Sequence, residues 1–259
     1  MAAFKIIDFS KYSSIKIGPE TKVKLLNEDN FENETVIGRA TNTLIAPNAQ
    51  NLAVLDEKYK YIKIKNGYLY VGAKTNNQIF YRFCKTHDIS GFEFLSKLPG
   101  TLGGSVIMNA GVKDYEISAP LIAVKTINGY KEKKDLSFSY RRSNIKEPLF
   151  EAVFALKNGF DCILDQTLKK MRSNQPSEPS LGSVFKNPKG DYAGRLIEAV
   201  GMKGMIKGGV KVSEKHANFF VNTGGGTFED MLYLVNEAKK RVYEEFGIKL
   251  QEEIKIIKS

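Results

Sequence analysis

Asn66-Gly67 separates two short runs, YIKIK (61–65) and YLYVG (68–72). A two-residue Asn-Gly connection accepts the positive φ angles of the tight turn whose twist matches that of paired strands, so this stretch is predicted to be an antiparallel hairpin. Similar short runs surround it. AFKIIDF (3–9), TKVKLL (21–26), TVIG (35–38) and LAVL (52–55) precede the hairpin, and LIAVKTI (121–127) and LFEAVFAL (149–156) follow it. Each is bounded by polar residues or Gly and reads as a strand, with Asn128-Gly129 as another turn. Between them, TNNQIFYRFCKTHD (75–88) puts Ile79, Phe80, Phe83, Cys84 and His87 on one helical face, with His87 as a cap or edge residue.

The pattern changes after RSNQPSEPSL (172–181), a linker-like stretch with two prolines that marks a domain boundary. DYAGRLIEAVG (191–201) reads as a helix closed by Gly201, and HANFFVN (216–222) as a strand. Thr227 followed by Asp230 resembles a capping box opening a long amphipathic helix. Its apolar stripe is Met231, Leu234, Val235, Ala238, Val242 and Phe246, read as core, and Gly247 ends it. KLQEEIKII (249–257) is expected to be a strand carrying Glu252 and Glu253.

Composition narrows the class. With 259 residues, 42% hydrophobic and 26% charged, the chain suits a globular protein of one large domain or two to three small ones. No run is long and apolar enough for a signal peptide or a membrane span. Two cysteines, Cys84 and Cys162, fit a reduced cytoplasmic protein and belong to no metal-ligand cluster. The net charge of +10 is dispersed rather than blocked, which favours small anions such as nucleotides, or simply a basic proteome, over nucleic acid.

Several segments could carry chemistry. Gly-Ser-Val-Phe-Lys-Asn-Pro (182–188) presents Ser183 in a polar loop with Lys186 and Asn187 close behind. The chain has only His87 and His216, neither in a setting that suggests a triad, and lacks the Gly-x-Ser-x-Gly elbow. Ser183 therefore reads as a proton donor or ligand-binding hydroxyl rather than an acyl carrier. Three glycine segments stand out. Gly38-Arg39-Ala40-Thr41-Asn42-Thr43 follows a strand and could offer backbone N–H groups to phosphate, although a plain turn explains it too. Leu-Pro-Gly-Thr-Leu-Gly-Gly-Ser (98–105) has more glycine than a turn needs and reads as a ligand contact ahead of a helix. GMKGMIKGGVKVSEKH (201–216) spaces Lys203, Lys207, Lys211 and Lys215 four apart, but its four glycines argue against a helix, leaving a mobile solvated loop with some lysines available to a diphosphate. Arg141, in FSYRRS (138–143), could pair bidentately with a carboxylate; a surface ion pair is its plain reading, as a solvated strand residue is that of Glu253.

Taken in order, GFEFLSKLPGTLGGSVIMNAG (91–111), FSYRRS (138–143), QPSEPSLGSVFKNP (175–188), AGRLIEAVGMKG (193–204), KVSEKHANFFVN (211–222) and FGIKLQEEI (246–254) resemble the UDP-N-acetylenolpyruvoylglucosamine reductase family of peptidoglycan precursor synthesis. The segments are collinear and cover nearly the whole chain. The resemblance implies an α+β fold with an FAD-linked oxidase-type region of two subdomains, 1–58 and 59–171, and a C-terminal α/β substrate-binding domain, 172–247, with the final strand, 248–259, returning to the second subdomain. It implies bound FAD and NADPH as co-substrate. In the chemistry the resemblance implies, hydride would pass from flavin N5 to C3 of UDP-N-acetylglucosamine enolpyruvate, Ser183 would give a proton to C2, and Arg141 and Glu253 would bind and polarise the enolpyruvyl carboxylate. FAD would contact Gly38, Arg39, Ala40, Thr41, Asn42, Pro99, Gly100, Thr101, Gly103, Gly104, Asn109 and Ala110. Tyr140, Gln175, Lys186, Asn187 and His216 align with places that hold substrate or shape its pocket, His216 equally with a structural position. No metal is implied.

Two departures from the family pattern matter. The first loop usually reads Gly-x-Gly-Ser-Asn, whereas here Ala40 takes the second glycine position. The usual Leu-Glu-Pro-Glu becomes Leu250-Gln251-Glu252-Glu253, where spacing assigns Glu253 and leaves Glu252 as the alternative. The short length resembles the compact subclass lacking an inserted tyrosine loop. Competing readings are another FAD-linked oxidoreductase of the superfamily, a flavoprotein that lost activity, and a basic nucleic-acid-binding module. Oligomeric state is left open, a monomer included.

Overall fold

The computed structural model describes residues 3–258; Met1, Ala2 and Ser259, at the ends of the ranges 1–58 and 248–259, lie outside them. The fold is α+β and divides into two compact units. The first comprises Lys24–Gly38 and Asn51–Ser173 with the start of the chain to Phe4; the second comprises Lys5–Val23, Arg39–Gln50 and the chain from Asn174 onward.

An antiparallel sheet of five strands forms the centre of the first unit, in the order Gly129–Glu132, Leu121–Thr126, Leu149–Ala155, Tyr68–Gly72, Ile62–Lys65. The Asn-Gly hairpin is present: Lys65 pairs with Tyr68 across Asn66 (φ 51°) and Gly67 (φ 77°), both in the left-handed region that such a turn requires. Leu149–Ala155 is central and buried along nearly its whole length, which explains its unbroken apolar run. Packed with it are the Leu102–Ile107 helix and the rings of Phe80 and Phe92, whose centroids are 4.7 Å apart, with Phe92 5.2 Å from the ring of Phe154 on the strand itself. The Asn77–Thr86 helix starts at an Asn76 cap and ends at His87, as expected, and buries Phe80 and Cys84. Ile79 differs from expectation: it is exposed, because Asn77 and Tyr81 take the buried positions beside Phe80 and Cys84. Lys24–Leu26 pairs in parallel with Ala53–Leu55, and Thr35–Val36 with Leu52–Ala53.

The second unit holds a four-stranded antiparallel sheet in the order Ser180–Ser183, Phe219–Asn222, Val210–Val212, Ile206–Lys207. The helix Phe228–Phe246 has the full Thr227/Asp230 capping box and ends at Gly247 (φ 68°). It buries Met231, Leu234, Val235, Ala238 and Val242, while Phe246, in the last turn, is exposed.

Several expectations are corrected here. The segment 201–216 is not a mobile solvated loop: Ile206–Lys207 and Val210–Val212 form a hairpin turning at Gly208-Gly209, with Val210 and Val212 fully buried. A side chain at Gly209 would lie 2.3 Å from both the Gly224 carbonyl oxygen and the Gly226 nitrogen, so close backbone packing accounts for that glycine. The terminal strand is only Lys255–Ile257, leaving Glu252 and Glu253 just before it. That strand pairs in parallel with Thr43–Ile45, within 1–58, and not with 59–171. Residues from the range 1–58 contribute to both units. The units divide between Ser173 and Asn174, inside 172–181, and the four-stranded sheet of the second unit begins at Ser180. Among the described residues no helix is long and apolar enough to cross a membrane.

Candidate active site

The candidate residues of the second unit are assembled by backbone hydrogen bonds among stretches distant in sequence. Ser183 ends its strand opposite Phe219, after Gly182 at φ 79°. The next residue, Val184, donates its N–H to the Asn218 carbonyl at 2.8 Å and accepts the Glu253 N–H at 2.8 Å. Phe185 bridges Glu252, and Lys186 donates its N–H to the Gln251 carbonyl at 2.9 Å. On the far side of this ladder, Asn42 Nδ2 donates to the Glu253 carbonyl at 3.0 Å, and Lys255 N–H donates to the Asn42 carbonyl at 2.8 Å. Ser183, Glu253 and the 39–42 loop, predicted separately, are therefore placed in neighbouring segments.

Glu252 and Glu253 are distinguished by their surroundings. Lys239, on the long helix, pairs with the Glu252 carboxylate at 2.8 Å. Glu253 instead is tied by its backbone to Val184 and Asn42. Asn187 has a structural duty: its Oδ1 accepts the Ala193 N–H at 3.1 Å, meeting one of the unpaired N–H groups at the start of the Ala193–Ala199 helix. Gln175 is half-buried, in the segment leading to Ser180. His216 is half-buried, and its Nδ1 accepts the Asn218 N–H at 3.2 Å. Burial pushes its imidazole below the ordinary histidine value, which favours the neutral ring with its proton on Nε2. Its Cε1 would lie 3.1 Å from a side chain at Gly194, so Gly194 makes room for the ring.

In the 39–42 loop, Ala40 is buried at φ 47°, and its carbonyl accepts the Ser14 N–H at 3.2 Å. The position usually held by glycine thus keeps glycine's backbone angle despite the methyl group. Arg39 is exposed, its guanidinium 5.5 Å from the Tyr12 ring centre; Thr41 is half-buried.

In the first unit, two glycine segments approach each other. A side chain at Gly38 would sit 2.7 Å from Thr101 Oγ1. Thr101 caps the Leu102–Ile107 helix, so that helix starts at the glycine pair rather than after it. Packing alone accounts for Gly103, whose added side chain would meet Ala73 Cβ at 2.9 Å. Gly104 is exposed and would meet only Thr101 Oγ1, at 3.5 Å. Asn77, which sequence reasoning passed over as polar, pins this turn: its N–H donates to the Gly100 carbonyl at 3.1 Å, and its Nδ2 to Ser105 Oγ at 2.8 Å and the Pro99 carbonyl at 3.4 Å. Ala110 N–H donates to the Ser105 carbonyl at 2.8 Å, continuing the helix end.

Asn109 is fully buried at φ 44°. Its Nδ2 donates to Glu116 at 2.7 Å and to the Ser139 carbonyl at 3.2 Å, while its Oδ1 is buried with no hydrogen-bond partner among the described residues. Arg141 lies at φ 55° in the turn between Phe138–Ser139 and Arg142–Ser143. Its Nη2 donates to the Gly111 carbonyl at 2.8 Å, and its guanidinium stands 4.9 Å from the centre of the exposed Tyr140 ring. Asn109 and Arg141 thus bond to Glu116 and Gly111, two residues that pair with each other across the Gly111–Val112 and Tyr115–Glu116 strands. Among the described residues no group of three or more His, Cys, Asp or Glu side chains could hold a metal ion.

Comparison with known proteins follows the same outline. Residues 175–257 match the family model described as UDP-N-acetylenolpyruvoylglucosamine reductase, C-terminal domain. A UDP-N-acetylenolpyruvoylglucosamine reductase of Campylobacter jejuni is 46% identical over 257 residues, covering 97% of this chain and 100% of that one. One from Helicobacter pylori is 43% identical, covering 97% of this chain and 98% of its own. The crystal structure of UDP-N-acetylenolpyruvylglucosamine reductase from Thermus caldophilus superposes with a TM-score of 0.87 at 25% identity, over 100% of both chains. The chain belongs to the UDP-N-acetylenolpyruvoylglucosamine reductase family.

Proposed function

We propose that this protein is the NADPH-dependent, FAD-containing enzyme that reduces UDP-N-acetylglucosamine enolpyruvate to UDP-N-acetylmuramate, an oxidoreductase of peptidoglycan precursor synthesis. The observation that carries the reading is the ladder in which Glu253 bonds to the residue after Ser183 and to Asn42. It gives three separate family motifs a shared scaffold.

The residues fit FAD. The buried, unpartnered Oδ1 of Asn109 is an acceptor suited to a ring or ribose donor, and an unmet buried acceptor would otherwise be costly. Exposed Gly104, with no neighbour that excludes a side chain, leaves room for a close backbone approach to phosphate. Residues 38–42, Pro99, Gly100, Thr101, Gly103, Gly104, Asn109 and Ala110 would hold the cofactor, in the manner of the FAD-linked oxidase region. Bound FAD supplies a two-electron carrier between NADPH and the vinyl carbon.

The chain's own residues supply the rest. As C3 gains hydride, negative charge develops over C2 and the carboxylate. Arg141 is a fixed cation for that charge, and its guanidinium geometry suits a carboxylate. Glu253, if held protonated, donates a hydrogen bond to the same group. Ser183 gives its proton to C2. A free serine hydroxyl is a weak acid, so the cationic Lys186 three residues on lowers the cost of the alkoxide that forms. His216, neutral with Nε2–H as donor, and Tyr140, Gln175, Lys186 and Asn187 would bind the sugar nucleotide.

The test is NADPH oxidation by the purified, FAD-loaded protein with and without the enolpyruvyl sugar. Oxidation that requires the sugar, with UDP-N-acetylmuramate as product, is expected. A protein that neither carries nor takes up flavin would overturn the reading.

A further inference from the structure

The short stretch between Ser183 and Lys186 has four backbone polar groups, on Val184 and Phe185, and the structure accounts for each. Glu253 N–H takes the Val184 carbonyl at 2.8 Å. The other three go to one residue. Asn218 accepts the Val184 N–H with its backbone carbonyl at 2.8 Å. Its side chain then accepts the Phe185 N–H on Oδ1 at 2.9 Å and donates from Nδ2 to the Phe185 carbonyl at 2.8 Å. Asn218 is 3% exposed and Phe185 is 1% exposed, so these bonds are formed away from water. The Asn218 N–H goes to His216 Nδ1 at 3.2 Å.

The reason lies in the chain path. Strand pairing between Ser180–Ser183 and Phe219–Asn222 ends at Ser183 opposite Phe219. Beyond it the 216–219 segment turns, with Phe219 N–H bonding back to the His216 carbonyl at 2.9 Å. No strand backbone remains on that side to meet Phe185. A primary amide carries the same donor and acceptor as a peptide group, so the Asn218 side chain extends the ladder by one residue. Asp keeps only the acceptor, and Leu keeps neither.

We propose that Asn218 is a positioning residue for the reaction, setting where Ser183 and Lys186 stand relative to Glu253. It touches no substrate in this scheme. It locks the two residues between the proton donor and the lysine, and the last free carbonyl of that pair holds Glu253. This deepens the reading above and rests on it.

Asn218→Asp in the FAD-loaded protein provides the test. The ionised carboxylate faces the Phe185 carbonyl and repels it, whereas a protonated one donates to it and restores the wild-type pattern. Stopped-flow absorbance separates flavin reduction by NADPH from reoxidation by the enolpyruvyl sugar. Reduction is expected to stay near the wild-type rate. Reoxidation is expected to fall about 10²-fold at neutral to alkaline pH, the scale of a misplacement of about 1 Å, and to recover as pH is lowered. Hydrogen exchange gives a readout apart from activity: the aspartate still accepts the Phe185 N–H, but repulsion of the Phe185 carbonyl displaces the peptide group that carries the Lys186 N–H, so the Lys186 amide, bonded to the Gln251 carbonyl, loses protection at alkaline pH and regains it at acid pH. Asn218→Ser, which has a single hydroxyl for two bonds, shows the same split without the acid recovery and serves if the aspartate variant does not fold.

Equal loss in both half-reactions would assign Asn218 to general stability and overturn the proposal. So would wild-type reoxidation in both variants. A wild-type protein that is reduced by NADPH but never reoxidised by the sugar would sink the functional reading, and this proposal with it. Wild-type turnover with unchanged variants would sink this proposal alone.

Discussion

The two units aim their candidate side chains by different means. In the first, Asn109 and Arg141 occupy turns at positive φ, 44° and 55°, where a side chain is disfavoured. Each such angle costs on the order of 1 kcal/mol and persists only when neighbours hold it. Here Glu116 and the Ser139 carbonyl hold Asn109, and the Gly111 carbonyl holds Arg141. In the second, Ser183, Lys186 and Glu253 take ordinary backbone angles within a hydrogen-bonded ladder, and Gly182 absorbs the left-handed step just before Ser183. Ala40 is the exception among the candidate residues of that unit, a side chain at φ 47°. Strain aims the first set and register aims the second. Substitutions should therefore separate chemistry from stability differently in the two units.

The largest effect is expected at Ser183. Ser183→Ala keeps flavin and its reduction by NADPH but slows reoxidation by the enolpyruvyl sugar about 10²- to 10⁴-fold, the range of general acid catalysis. Arg141→Ala comes next. It should impair reoxidation about 10²- to 10³-fold and reduction far less, and equal impairment of both would point to flavin binding instead. Glu253→Gln should slow the same step by about tenfold or more. Glu252→Gln loses only a partly exposed ion pair with Lys239, worth under about 1 kcal/mol, and should leave turnover near wild type. The reverse order of these two variants would move the functional carboxyl to Glu252.

The comparison itself is sharpened by pairing alanine with glycine. At Arg141, φ 55° makes Gly the better backbone, so Arg141→Gly should be more stable than Arg141→Ala by about 1 kcal/mol in urea unfolding. At Ser183 the order reverses, with Ser183→Gly less stable than Ser183→Ala by about 0.5–1 kcal/mol. The same order at both sites would mean that strain does not distinguish the units.

The smallest effect concerns pH. Burial lowers the His216 value, so the folded state holds the neutral ring better than the unfolded chain, whose reference is 6.5. That contribution is present above the unfolded value and is lost as pH falls through the window down to the lowered folded value. Protonated Nδ1 can no longer accept the Asn218 N–H. His216→Gln should therefore flatten the stability profile between neutral and mildly acid pH, and an unchanged profile would remove His216 as its source.

Much of the local architecture was legible because it rests on short-range rules. The Asn66-Gly67 hairpin, the Thr227/Asp230 box and the Gly247 stop each act within a few residues. What was not legible depends on distant neighbours. Four glycines and four lysines made 201–216 resemble a solvated loop, although Gly209 is required by the backbone at 224–226, some fifteen residues on. The family resemblance placed the terminal strand against 59–171; nothing in KLQEEIKII specifies a partner, and pairing with Thr43–Ile45 is a tertiary fact. Ser183 and Glu253 carried recognisable motifs, but the bond between Val184 and Glu253 has no sequence signal. Asn77 and Asn218 were hidden for a related reason. A buried asparagine that serves a remote backbone looks like any polar residue in a helix or strand.

The most direct measurement is a single turnover without oxygen. The flavin of the protein is bleached with one equivalent of NADPH, and UDP-N-acetylglucosamine enolpyruvate is then added. The account predicts that the oxidised flavin bands return and that UDP-N-acetylmuramate forms in equal amount. A reduced flavin that stays bleached in the presence of the sugar, with no product, would contradict it.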